Sequence, residues 1–444
     1  MGLRTSRAGK CRTLIALLTM LCATAGCKQG PWTLWDAYSA HFIDAQGRVI
    51  DHSAGDRTTS EGQAYAMFFA LADNDRTTFD RVLTWTQANL AGGDLQAHLP
   101  AWLWGNDGKG NWQPLDPNSA SDADVWMAYS LVEAGRLWKV PVYSNLGRKM
   151  MDRIAKSEVA DLPGFGPLLL PGPIGFQHDQ AFTLNPSYMP PFLFERLAQV
   201  DPAGPWRDIE RNIPRLLEQS ARHGFVMDWV DYLPGDGFYP ASVKPPPATA
   251  PPVQLAATAK QPDGAAKPAA AAKQPDAPAK PPAAATTQPA AAPAQTTTAA
   301  AATAQTVLSG GSYDAIRVYL WAGMLDSESP ARAQILNILP GMSVYLVNHD
   351  APPQMVSDQG IPLAQDGPVG FSAAVLPYLR AFPSLSSESA KQTVRMSLQR
   401  DPSTGLYGKD RAYYDQNLAL FATGYLDGRF RFGASGELKV EWTR

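Results

Sequence analysis

Residues Asn118–Trp138 read NSASDADVWMAYSLVEAGRLW, a polar, acid-bearing turn joined directly to a strongly apolar helix. Ser121 with Asp124 three residues on has the form of a capping box, in which two side chains take backbone N–H groups of the first turn. Behind it Val125, Trp126, Ala128, Tyr129, Leu131, Val132, Ala134 and Leu137 leave almost no polar face, so the helix is expected inside a domain. Complementing the helix dipole would account for Asp122 and Asp124 in isolation. The upstream flank favours a binding role. Trp102, Trp104, Gly105, Asn106, Asp107 and Trp112 mix flat rings with amides and acids, as a sugar groove does: rings stack on the apolar faces of pyranoses and polar groups take the hydroxyls.

Outward from this stretch, apolar or amphipathic segments recur with short polar, Gly or Pro breaks. They run at about Trp32–Phe42, Ser60–Leu71, Phe79–Leu90, Val142–Ser157, Ser187–Val200, Trp206–Arg222, Tyr313–Leu325, Pro330–Val347, Gly370–Arg380, Ser386–Gln399 and Ala412–Leu426. With the central one they make roughly a dozen helices. Alternating strand patterns are confined to short hairpin candidates at Arg48–His52 and Phe430–Trp442. The expected class is all-α. Paired helices in this number bury themselves most completely as a double ring, with apolar helices inside and amphipathic ones outside. Glu61–Leu71 and Ser121–Leu137 have the composition of inner helices. Phe79–Leu90 and Trp206–Arg222, with Arg81, Gln87, Arg211, Glu218 and Arg222 on a polar side, have that of outer ones. A helical solenoid is the rival, and no motif at fixed period supports it.

Residues 241–306 break the pattern: Pro, Ala, Thr, Lys and Gln dominate, and KQPD occurs at Lys260 and again at Lys273. With too little apolar bulk to fold, the tract is expected to be a long disordered insertion. Neither flank alone has enough helices to complete a ring, so residues 28–240 and 307–444 are read as two parts of one domain.

Residues 1–27 have the form of an export signal: Arg4, Arg7, Lys10 and Arg12 precede an apolar run from Leu14 to Cys22 that is too short to span a bilayer. Ala23, Thr24 and Ala25 satisfy a small-residue cleavage site, whereas Ala25, Gly26 and Cys27 resemble a bacterial lipoprotein box in which Thr24 fits poorly. The expected address is periplasmic or secreted, with a membrane anchor only if Cys27 is lipidated. Cys11 and Cys22 fall in the leader, so the mature chain is expected to hold together by burial without an internal disulfide. His41, His52, His98, His178, His223 and His349 show no ligand spacing, and no metal or cofactor is expected. A net charge of -3 and a pI near 6.1 make no electrostatic case for nucleic acid, while 12 Trp and 15 Tyr suit an uncharged ligand.

Two further acids stand where helices begin. Glu61 has a structural reading as the last residue of a capping box begun by Thr58. As a general acid it would need burial, or a neighbouring carboxylate such as Asp122, to outweigh the helix dipole. Asp314 follows the Pro/Ala tract at the head of an aromatic-flanked helix, and as a cap it would have Arg317 for a local partner. Asn185, Pro186, Ser187 and Tyr188 form another polar turn, in which Tyr188 is either core or site. Tyr407, Tyr413 and Tyr414 are weaker candidates.

TSEGQAYAMFFAL (59–71), LPAWLWG (99–105), NSASDADVWMAYSLVEAG (118–135), NPSYMPP (185–191) and SYDAIRVYLW (312–321), in that order, resemble glycoside hydrolase family 8. The likeness is greatest to its branch of periplasmic endoglucanases that accompany bacterial cellulose synthesis. It covers nearly the whole chain from about Trp32, the Pro/Ala tract excepted, and NSASDADVWMA is its most specific part. The resemblance implies an (α/α)6 barrel with an open groove, hydrolysing internal β-1,4-glucosidic bonds of cellulose with inversion. By motif it implies Glu61 as general acid and Asp314 as general base, with Asp122 holding and distorting the sugar at the cleavage point. Tyr188 and Arg317 would position the water or the base, Trp102 and Trp104 would stack on the glucan, and Asp124 is kept as a cap. Inversion asks that the acid and base stand roughly 6.5–9.5 Å apart, whereas about 5 Å favours retention. The implied partners are β-1,4-glucan chains and the cellulose synthesis and export machinery; a monomer is expected. Two alternatives stay open: a glucan-binding or assembly protein that no longer cleaves, and a relative acting on chitosan or xylan. A polysaccharide lyase on a similar barrel would want basic residues in its groove, where this chain offers acids and Trp.

Overall fold

Side chains that cannot face water decide the architecture. The computed structural model describes residues 30–179, 181–241 and 310–443, and the leader and most of the Pro/Ala tract lie outside them. The described chain opens with α1 (Thr33–Phe42), β1 (Thr58–Thr59), α2 (Ser60–Ala72) and α3 (Arg76–Asn89), followed by the hairpin β2 (Leu103–Asn106) and β3 (Trp112–Asp116). It continues through α4 (Ser121–Leu137), α5 (Pro141–Ser157), β4 (Val159–Leu162), β5 (Gly166–Leu169), β6 (Gln177–His178), β7 (Ala181–Leu184), α6 (Pro191–Val200) and α7 (Trp206–Ser220). Then come β8 (Val230–Leu233), β9 (Gly237–Pro240), α8 (Ala315–Met324), α9 (Arg332–Ile338), α10 (Pro340–Asn348), α11 (Val369–Arg380), α12 (Ser386–Leu398), α13 (Tyr413–Leu426), β10 (Phe430–Phe432) and β11 (Leu438–Val440).

Helices α2, α4, α6, α8, α11 and α13 are buried on most or all of their faces, as their unbroken apolar composition requires. Helices α3, α5, α7 and α12 bury one stripe and lie outside them. Neighbouring inner helices touch in turn: α2 packs on α4, α4 on α6, α8 on α11 and α11 on α13. Phe192 of α6 lies 6.1 Å from Trp321 of α8, and Phe421 of α13 lies 4.9 Å from Tyr65 and 4.6 Å from Phe69 of α2. The arrangement is an (α/α)6 barrel.

Its two ends differ chemically. At the carboxyl ends of the inner helices the hairpin β10–β11 forms a plug, with Phe432 stacked on Phe192 at 3.8 Å and on Phe68 at 6.0 Å. Tyr129 donates to the Gly436 carbonyl (2.8 Å), and fully buried Glu133 accepts from Leu438 N (2.8 Å) and Arg196 Nε (2.7 Å). A buried carboxylate with these partners is satisfied, and it ties the hairpin to α4. The amino ends, where Glu61, Asp122 and Asp314 stand, carry no such plug among the described residues.

The structure departs from the sequence pattern in three places. The segment Pro330–Val347 is two helices, because Pro340 has no N–H to continue α9 and instead starts α10. Ser187–Val200 is a short 3-10 turn, Pro186–Tyr188, before α6 restarts at Pro191. Strands are more numerous than expected. Beside the predicted hairpin at β10–β11 there are β1–β2–β3, β4–β5 and a four-stranded sheet β6–β7–β8–β9, all antiparallel. Arg48–His52 forms only isolated bridges, Ile43 to Val49 and Asp51 to Arg57.

The two ends of the undescribed tract are pinned to adjacent residues. Ala241 N donates to the Trp229 carbonyl and Asp228 N to the Gly310 carbonyl, each at 3.0 Å. That places Ala241 and Gly310 within roughly 14 Å, which about five extended residues bridge. Replacing residues 242–309 with a short Gly/Ser linker is therefore expected to leave the melting temperature within a few degrees, and turnover of a soluble glucan within about twofold, of the parent. A collapse of either would show that the tract is part of the folded unit.

Candidate active site

The three acids reach their helix heads by different routes. Glu61 is the second residue of α2, and the cap is Thr59, whose Oγ1 accepts from Gly62 N (3.2 Å). Thr58 donates to the Val49 carbonyl (2.7 Å), so the box proposed at Thr58 is absent and the Glu61 carboxylate is free to pair with Arg317. Gly62 admits the neighbouring helix: a Cβ there would lie 2.2 Å from the Tyr413 hydroxyl.

Helix α4 has no side-chain cap. Ser121 Oγ donates to the Leu170 carbonyl (2.6 Å) and its N–H to that of Pro171 (3.0 Å), tying the helix head sideways to the chain after β5. The capping box of Ser121 and Asp124 is thus corrected. Asp124 is fully buried beside Glu158, whose Oε1 accepts from Ser119 Oγ (2.5 Å). Asp122, two residues nearer the helix head, faces Arg317 at 3.5 Å. Asp314 is not a cap either. The N–H groups of Ser312 (2.7 Å), Asp314 (3.1 Å) and Ala315 (2.8 Å) all go to Oδ1 of Asp228, a residue from the far side of the Pro/Ala tract.

Arg317 gathers these groups. Its Nη1 contacts Glu61 Oε2, Tyr65 OH (3.4 Å) and Asp122 Oδ2 (3.5 Å), and its Nη2 donates to Asp314 Oδ1 (2.7 Å) and Ser187 Oγ (2.9 Å). The Tyr188 ring lies 5.6 Å from the guanidinium carbon. Two oxygens held by one guanidinium can be no more than roughly 8 Å apart. Arg317 (2 % exposed) and Asp122 (5 %) form the floor, while Glu61 (19 %) and Asp314 (27 %) reach solvent.

Burial drives the electrostatics. It raises the Glu61 pKa above the ordinary carboxylate value, against the pull of Arg317 and a hydrogen bond with Asp122, and with help from the charge of Asp314. The carboxylate that helps is Asp314, where sequence reasoning named Asp122. Burial, opposed by Arg317 and assisted by Glu61, pushes Asp122 up to about 8. Burial also brings Asp228, Glu158 and Glu195 to about 7.

For each of these carboxyls the folded pKa exceeds the unfolded one, so folding favours the protonated form. Their stabilisation is complete below about pH 4 and is lost as pH rises through 7 and 8. The melting temperature is accordingly expected to fall by several degrees between pH 5 and pH 8.5, and Glu158→Gln to flatten part of that slope. A curve that is level or rising over this range would contradict the assignment.

Aromatic groups flank the acids unevenly. The Trp102 carbonyl accepts from Ser60 N (3.0 Å), which sets Trp102 beside the head of α2, and no ring or cation of the described residues packs on its indole. Trp104 already has protein on its faces: it stacks with Trp112 at 5.1 Å, meets the edge of Trp85 at 5.3 Å and has the Arg48 guanidinium 4.4 Å from its centre. The ring this stack offers to solvent is Trp112, 44 % exposed. On the other side Trp229 stacks on Phe176 (6.0 Å) and meets Tyr188 (6.1 Å).

Sequence reasoning missed Asp228, Trp229 and its stacking partner Phe176, and it reached Ser187 only as part of the polar turn at Asn185–Tyr188 and Tyr414, which bonds to the Tyr313 carbonyl, only weakly. No local pattern marks Asp228, because the N–H groups it serves are more than 80 residues away. Among the described residues no cluster of His, Cys, Asp and Glu is arranged to hold a metal ion, and no helix is long and apolar enough to cross a membrane.

A barrel whose open end presents two solvent-reaching carboxylates over one buried arginine, between aromatic walls, has the make-up of a carbohydrate-cleaving enzyme. The chain belongs to glycosyl hydrolases family 8, whose profile it matches over residues 8–246. It is 39% identical to an endoglucanase of Xanthomonas axonopodis pv. citri, over 99% of this chain and 97% of the relative. It is 37% identical to an endoglucanase of Escherichia coli K12, over 96% of each. The crystal structure of an endo-1,4-D-glucanase from Vibrio fischeri ES114 superposes with a TM-score of 0.73 at 32% identity, covering 93% of this chain and all of that one.

Proposed function

We propose that this protein is an endo-β-1,4-glucanase that hydrolyses internal bonds of cellulose chains with inversion. Glu61 protonates the departing glycosidic oxygen as the bond to the anomeric carbon breaks. Asp314 takes a proton from a water that attacks that carbon from the opposite face. Asp122 holds the sugar at the cleavage point, Tyr188 and Arg317 position the water and the base, and Trp102, with the Trp104–Trp112 stack, supports the chain. The supporting observation is the single Arg317 that both candidate carboxylates touch, which keeps their pairing oxygens within roughly 8 Å of each other. The full-length relatives bearing the endoglucanase name supply the substrate class.

Defined cello-oligosaccharides test the reading. Cellohexaose is expected to give mainly di-, tri- and tetrasaccharides and a soluble cellulose derivative to lose viscosity early. Absence of turnover, or cleavage confined to xylan or chitosan, would overturn it. Export through the leader at residues 1–27, and work beside the cellulose synthesis and export machinery, belong to the same proposal. Cell fractionation with and without Cys27→Ser checks the address: a soluble periplasmic or secreted protein is expected in both, and membrane association lost in the variant would mark a lipid anchor instead.

A further inference from the structure

Among the described residues, Asp228 is a carboxylate at the head of α8 that neither the motifs nor the proposed mechanism uses. Its Oδ1 accepts three backbone N–H groups at the head of α8, whereas its Oδ2 accepts no hydrogen bond from any described residue. An ordinary cap belongs to the chain segment just before its helix and satisfies one N–H. Here the cap comes from 84 to 87 positions upstream and one of its clients is the N–H of Asp314 itself.

The surrounding backbone is packed to keep this contact. A Cβ on Gly311 would lie 1.9 Å from the Val226 carbonyl oxygen, so the segment entering α8 runs directly against the one carrying Asp228. On its other side Gly311 exchanges hydrogen bonds with Val356 (2.8 and 3.0 Å), and Ser312 Oγ donates to the Gln354 carbonyl (2.8 Å). The consequence for Asp314 is twofold. Its main chain is fixed at N, and its side chain is relieved of capping duty, so that Oδ1 is available to Arg317.

We propose that Asp228 is a positioning residue for the candidate base: it holds the α8 head so that the Asp314 carboxylate stays aimed at the position of the attacking water. This rests on the role given to Asp314 above. Misplacing a catalytic group by about 1 Å costs on the order of 10²-fold in rate. Glucan binding along the groove does not depend on that aim.

Asp228→Ala is therefore expected to lower kcat on a soluble β-1,4-glucan by about 10²-fold, assayed well below its melting temperature, with KM within about threefold of wild type. Asp228→Asn keeps an acceptor oxygen at the same place and is expected to recover kcat to within about fivefold. A folded alanine variant with wild-type kcat, or an asparagine variant as impaired as alanine, overturns the proposal. Should alanine not fold, Asp228→Ser, a shorter neutral cap, takes its place with an expected kcat between that of Asp228→Asn and the roughly 10²-fold loss, and a folded serine variant with wild-type kcat overturns the proposal. If neither folds, Asp228 is a structural cap and the proposal fails. Asp314→Asn run alongside separates the two ideas: full turnover in that variant removes the base assignment itself, whereas its inactivity beside a normal Asp228→Ala removes only the positioning role.

Discussion

Glu61→Gln is expected to lower kcat on a soluble β-1,4-glucan by about 10³-fold, because proton transfer to the leaving oxygen contributes on the order of 10²–10⁴ and the amide cannot supply it. Asp314→Asn removes activation of the water and is expected to cost as much. The double variant should be little worse than either single one, since acid and base act in one transition state. Both amides preserve shape and can hydrogen-bond Arg317, so circular dichroism and glucan affinity are expected to match wild type. A substrate with an activated aryl leaving group, which needs little protonation, should regain much of its turnover in Glu61→Gln and none in Asp314→Asn. Equal behaviour of the two variants on that substrate would contradict the division of roles.

Arg317 is expected to show the other large effect, on folding as well as on rate. It is the cation shared by Glu61, Asp122 and Asp314 and is itself 2 % exposed. Removing one partner from a buried ionic cluster leaves the other charges uncompensated and costs about 3–5 kcal/mol. Arg317→Met should thus lose about that much stability at pH 8 and show no measurable turnover. Without the cation, the carboxyl pKa values rise further, so protonation relieves the strain. The deficit should shrink on moving from pH 8 to pH 5. Arg317→Lys keeps the charge but not the fork that reaches Glu61 and Asp314 together, and is expected to regain stability without regaining rate. A deficit that grows toward low pH would contradict the cluster as described.

What the sequence made legible follows from how locally each feature is encoded. The inner helices α2, α4, α8, α11 and α13 could be read because a helix buried all round is apolar all round. The outer ones could be read from a single buried stripe. The strands from β2 to β9 escaped because all are two to five residues long and carry too few alternations to register. Glu61, Asp122, Asp314 and Arg317 were found through their motifs, and the structure brings all four together. Their local logic was less visible. Thr58–Glu61 and Ser121–Asp124 have the letters of a capping box, but Thr58 bonds to Val49, Ser121 bonds to Leu170, and the tertiary partner takes precedence in both. Asp228 could not have been read at all, since capping α8 from across the Pro/Ala tract leaves no periodic or spaced signal.

The anomeric form of the first product tests the central claim most directly. Proton NMR of a cello-oligosaccharide in the first minutes of cleavage, before mutarotation, is expected to show the new reducing end as the α anomer, as required when Asp314 delivers water from the face opposite Glu61. The β anomer appearing first would mean a covalent intermediate and a different partner for Glu61.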